Sequence, residues 1–134
     1  MAIYIDLPKA MELVDAAIAR KGEDYVYPNW EIGCQYVDYA ITQDKDGDVQ
    51  RICRTGCIVG EALLDVLNVD MDSLSRHGTN ENGVYDFLDY LRRIEAIDGC
   101  TVDAEEYLTL IQVKQDRGET WGEARQGAKE ELNL

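Results

Sequence analysis

One stretch constrains this chain more than any other. Cys57-Ile58-Val59-Gly60-Glu61-Ala62-Leu63-Leu64-Asp65-Val66-Leu67 is apolar around most of a helical turn, in a sequence that is 30% charged overall. A helix apolar on nearly all sides has to be surrounded, so the rest of the chain must wrap it. Gly60 weakens such a helix unless the missing side chain admits a close neighbour. The expectation is a buried central helix with a crossing point, most simply another helix, at Gly60.

The flanking sequence supplies the wrapping. Leu7, Met11, Val14 and Ile18, with Ala10 and Ala17 beside them, recur at helical spacing. Asp6 suits the cap, Pro8 the first turn and Gly22 the stop. A short helical turn is expected at residues 71–76. Val84, Phe87, Leu88, Leu91 and Ile94 then share one face of a helix that Asn82 can cap and Asp98-Gly99 can end. Thr101 can cap the next helix, with Ala104, Tyr107, Leu108, Leu110 and Ile111 inward, antiparallel to the one before it. Thr120-Trp121-Gly122-Glu123 has the form of a capping box and opens a last helix with Trp121, Ala124 and Ala128 inward, fraying over residues 129–134.

Between the first helix and the central one the period changes from helical to alternating. Residues 35–41 and 49–53 suit strands, and Asp46-Gly47 between them is a hairpin-turn signal. Alternation puts Tyr36, Asp38 and Ala40 on one face and Val37, Tyr39 and Ile41 on the other, the second expected to be buried. A turn centred near Asp46 sets Cys34 roughly opposite Cys57. The fold class that follows is α+β: a single globular domain over residues 1–134, mostly helical with about five helices, and one β-hairpin at residues 35–53. At 134 residues and 15.2 kDa it should expose roughly 7,000 Å².

Charge excludes several functions. Thirteen basic against 27 acidic residues give a net charge of −14, which argues against direct binding to nucleic acid. Spread over the surface, the excess charges lie roughly 22 Å apart against a screening length of about 8 Å, too dilute to imitate a phosphate ladder. A DNA mimic therefore remains only a lesser alternative, requiring that folding gather the acids onto one face. No apolar run reaches the ~20 residues of a membrane span, and the N-terminal residues lack the character of a secretion signal, so a cytoplasmic protein is expected.

In such a compartment Cys34, Cys53, Cys57 and Cys100 are expected to be reduced. Cys34, Cys53 and Cys57 are weak zinc candidates, because their spacing is looser than a Cys-x-x-Cys pair and His77, the one histidine, lies far downstream. The turn at Asp44 and Asp46 has a partial calcium-loop pattern, but Thr42 stands at the first ligand position and Cys53 where the bidentate glutamate belongs. No metal and no cofactor are expected, since phosphate-cradling glycine motifs are also missing. A Cys/His nucleophile built on His77 has no local support. The acidic pairs Asp86/Asp89 and Glu105/Glu106 are what a chain this acidic produces on a solvated face.

The middle of the chain, Gly33-Cys34-Gln35-Tyr36, Asp46-Gly47 and Gly56-Cys57-Ile58-Val59-Gly60-Glu61-Ala62-Leu63, resembles a family of small proteins of actinobacteria and their phages. The segment from Gln115 to Ala124 is similar to the ending of many of those chains. The resemblance spans residues 30–67 and 103–128 and implies a phage-type or actinobacterial accessory protein, in the host cytoplasm if phage-encoded. That family has no assigned activity, so it transfers no catalytic residue.

The function expected is non-enzymatic binding of another protein, one that is basic or itself binds DNA. Trp30, Tyr36, Asp38, Asp86 and Asp89 are the candidate contact residues, since aromatic side chains concentrate binding energy. A homodimer through the hairpin edge is a further option, opposed by the charge of Asp38 and the Asp-rich turn. The alternative is a small-molecule-binding or hydrolytic domain with a pocket near Cys57 and Tyr36.

Overall fold

The computed structural model describes residues 2–31 and 33–134. Among them the chain forms β1 (Ile3–Ile5), α1 (Leu7–Lys21), β2 (Val37–Gln43), β3 (Val49–Thr55), α2 (Ile58–Leu64), α3 (Met71–Arg76), a 3-10 turn (Gly78–Glu81), α4 (Val84–Arg93), β4 (Ile97–Cys100), α5 (Val102–Gln115) and α6 (Trp121–Glu131). This is the expected α+β class, with an accessible surface of 7400 Å².

Local signals set the helix boundaries. The Asp6 carboxylate accepts from the Lys9 amide at 2.9 Å, Pro8 sits in the first turn, and Gly22 closes α1 with a positive φ. Thr101 caps α5, and Thr120 with Glu123 forms both halves of the capping box that opens α6. That last helix continues to Glu131, with Ala128 buried and Leu132 packed against the core. Gly83, and not Asn82, is the cap of α4, and Ile94 lies outside the buried face as the C-cap.

The central helix is shorter than its apolar run, yet every residue of α2 from Ile58 to Leu64 is buried, between α1, α5 and the end of β3. Its neighbour at Gly60 is the extended chain entering β2, where a helix was expected. A methyl on Gly60 would lie 2.8 Å from the Tyr36 Cα, so only glycine lets the two backbones touch.

Two features depart from the sequence reading. β1 and β4 form a parallel pair, Ile3 beside Ile97 and Ile5 beside Cys100, so a strand separates α4 from α5. In the antiparallel β2–β3 hairpin the face carrying Val37, Tyr39 and Ile41 is not buried as a unit. Val37 is buried, but Tyr39 and Ile41 are exposed, because the body of the protein reaches only the root of the hairpin.

Candidate protein-docking arm

The hairpin is fixed at its root by three consecutive residues. The Tyr36 ring stacks on Phe87 at 3.7 Å between centroids, and its hydroxyl donates to the Asn82 carbonyl at 2.8 Å. Val37 is held by the Asn80 side chain, which accepts from its amide at 2.8 Å and donates to its carbonyl at 2.9 Å, doing the work of a neighbouring strand. The Asp38 carboxylate is buried and accepts from the Tyr27 hydroxyl at 2.7 Å. Burial first, and that hydrogen bond second, push the Tyr27 phenol well above its ordinary range.

A covalent tie lies beside this root. Cys34 and Cys57 are joined as a disulfide with Cα atoms 5.7 Å apart, which corrects the expectation of four reduced thiols. The hairpin arithmetic had set these two opposite each other. Cys53 points instead to Asp72 and Ser75 on α3, so the three cysteines named as metal candidates are not gathered. Among the described residues no group of three or more His, Cys, Asp or Glu side chains is placed to hold a metal ion.

The polar contacts around α2 complete the seat. Arg20 donates from Nε to Glu61 at 2.8 Å, and the Thr55 hydroxyl at the end of β3 donates to the other carboxylate oxygen. Burial alone would raise the Glu61 carboxyl, but hydrogen bonds from Thr55 and Arg20 and the Arg20 charge outweigh it, leaving it below the ordinary range. Gln115, fully buried, accepts from the Ile58 amide at 2.7 Å and so satisfies a free donor at the start of α2.

Beyond Asp38 the hairpin leaves the body. Every residue from Tyr39 to Thr55 is exposed or half-exposed. Tyr39 (43%), Ile41 (66%), Val49 (69%) and Ile52 (53%) present large apolar side chains to solvent. Apart from Thr55 at its end, this region is held by α3: Arg51 lies over the Tyr39 ring at 3.6 Å and donates from Nε to the Ser75 hydroxyl at 3.0 Å. At the tip, Asp44 accepts from the amides of Asp46 and Asp48, both at 2.9 Å, and Gly47 takes the positive φ the turn requires. The acidic turn is thus a self-contained cap on a projecting arm.

The expected contact residues are redistributed by this geometry. Tyr36 and Asp38 are anchors inside the protein and present no contact surface. Trp30 is half-buried with its ring against Gly118, Asp86 is exposed on α4, and Asp89 is ion-paired with Arg92 at 2.6 Å and Arg93 at 2.9 Å. Cys57 and Tyr36, named for the alternative pocket, are both fully buried. A shallow groove of about 420 Å³ lies elsewhere, between Tyr4, Tyr85 and Cys100. Burial, then Glu105 and Asp103, push the Cys100 thiol there to about 11, so it is protonated near neutral pH. His77 is an exposed turn residue whose Nδ1 accepts from the Thr79 amide at 3.1 Å.

Fold and site together define a small α+β domain carrying a projecting two-stranded arm. No family model, no curated protein and no solved structure matches the chain. No helix among the described residues is long and apolar enough to cross a membrane.

Proposed function

We propose that this protein acts by binding another protein through the β2–β3 arm, without catalysis of its own. The observation that carries this reading is the set of exposed apolar side chains on the arm, Tyr39, Ile41 and Val49 on one face and Ile52 on the other, on strands whose outer edges are open beyond the root. An arm of this kind takes a partner segment either along an edge, by strand addition, or across its apolar side chains. The net charge of −14 favours a basic partner, one that itself binds DNA included, and steers its approach. The resemblance of the middle of the chain to small phage and actinobacterial proteins supports an accessory role of that type in the cytoplasm.

The test is affinity capture from lysate with the natural chain and with Ile41→Asp, each at low and at high salt, read by mass spectrometry. The expected outcome is a protein retained by the natural chain, lost with the variant and weakened by salt. The same proteins on both baits would remove the arm from the mechanism.

A further inference from the structure

A strand edge offers a partner only the backbone groups that point out of the sheet, and the hydrogen bonds at the two ends of β2 show which those are. At the root, the amide and carbonyl of Val37 point away from β3 and are both taken by the Asn80 side chain, at 2.8 and 2.9 Å. At the tip, Asp44 points the other way, its amide donating across the hairpin to the Asp48 carbonyl at 2.9 Å. Successive residues of a strand alternate in direction, so Tyr39, Ile41 and Gln43 face outward with Val37, while Ala40 and Thr42 face β3. Among the described residues nothing answers the outward amides and carbonyls of Tyr39, Ile41 and Gln43. Asn80 thus fills the first place of a missing neighbouring strand and leaves the rest of that strand's place open.

This open edge is uncharged along its length and acidic at both ends. β2 carries no charge from Tyr39 through Gln43. Beyond Gln43 the turn holds Asp44, Asp46 and Asp48 against Lys45, and beyond Val37 the exposed Glu81 adjoins Asn80. The arginines of the arm stand on the other strand: Arg51 is paired with Asp72 of α3 at 3.7 Å, and Arg54 lies across from Asp38. Tyr39 to Gln43 is about 13 Å of strand, longer than the screening distance of about 8 Å, so each acidic end acts separately on what lies beside it.

We propose that the open β2 edge accepts a basic, extended segment of a partner protein as an added antiparallel strand, with an apolar residue opposite Ile41 and a lysine or arginine at each end. The proposal rests on the reading of the arm as a docking element and names the mode of docking and the chemistry of the partner. The residues placed opposite Tyr39, Ile41 and Gln43 exchange both backbone hydrogen bonds with them. Their side chains fall on the face that carries Tyr39, Ile41 and Val49, which makes apolar β-branched residues the best fit there. The basic ends come beside Asp44 at the tip and Glu81 at the root, and the net charge of −14 draws such a segment in and turns an acidic one away.

The test uses the peptide Lys-Val-Thr-Val-Thr-Val-Lys, blocked at both termini, titrated into the isotope-labelled full chain and followed by backbone NMR. In the free protein the amides of Tyr39, Ile41 and Gln43 should exchange with solvent faster than those of Ala40 and Thr42. The peptide should shift those three amides and slow their exchange. Replacing both lysines by glutamate should weaken binding about tenfold or more, and added salt should weaken the lysine peptide. Methylating the amide nitrogen of the central valine, which faces Ile41, should abolish binding, whereas methylating a threonine nitrogen, which faces away from β2, should leave it.

No binding up to about 1 mM peptide, equal binding of the glutamate peptide, or indifference to which nitrogen is methylated overturns the proposal. In any of these cases, loss of a captured protein with Ile41→Asp would keep the docking reading, with the partner seated across the apolar side chains; capture that survives the variant would take that reading down as well.

Discussion

Glu61 shows how one residue can oppose the pattern around it and still fit. In the sequence it interrupts an apolar run; in the structure it is buried with Arg20 and Thr55 as partners, which a buried carboxylate requires. Replacing it by glutamine should cost about 2 kcal/mol near neutral pH. Because the carboxyl is held below its ordinary range, that contribution is present above the range and is lost as pH falls through the lowered value. Urea unfolding of the natural chain and Glu61→Gln should therefore differ at neutral pH and converge as pH falls below the ordinary carboxylate range; a constant gap would show that the carboxylate charge is irrelevant. Single residues were legible in the sequence where their partners are near. Asp6, Thr101 and Thr120 bind amides within three residues, so residue type and spacing reveal them. Asn80 and Gln115 act across separations of 43 and 57 residues, and nothing beside them in the sequence marks them.

At the scale of elements, the hairpin was legible because its turn chemistry and alternation are local. Which face it buries was not, since burial is decided by what packs on a strand, and here, beyond the root, α3 reaches it at Asp72 and Ser75. β1 and β4 escaped for a related reason: three and four residues carry little periodicity, and they pair between distant parts of the chain. The Cys34–Cys57 bond joins the segment before β2 to the start of α2 across 23 residues. A closure of that length is worth about 3 kcal/mol through the unfolded chain. Protein purified without reductant and alkylated after denaturation should therefore be modified at Cys53 and Cys100 only, and at all four cysteines after reduction, with a lower melting temperature when reduced. Four reactive thiols before reduction would show the bond to be unformed.

For the whole molecule, the α+β class and the single wrapped helix followed from composition and period, because a nearly all-apolar helix leaves few ways to arrange the rest. The arm did not, since an apolar strand facing water has the same sequence signature as one facing a core. Replacing the nine residues from Thr42 to Gln50 by Asn-Gly would join the paired residues Ile41 and Arg51 through a two-residue turn. The shortened protein should melt within about 4 °C of the natural one while losing the captured protein; a collapse of the melting temperature would show that the tip supports the body. The fastenings of the arm explain that expectation. Tyr36, Val37 and Asp38 enter the body, Gly56 and Gly60 lie against the backbone at Gln35 and Tyr36, and α3 holds Arg51 and Cys53. None of these lies between Ala40 and Gln50. The outer half of the hairpin is therefore an interchangeable fitting: a different sequence of the same length can be mounted on this socket, changing what the protein recognises without asking the body to fold anew.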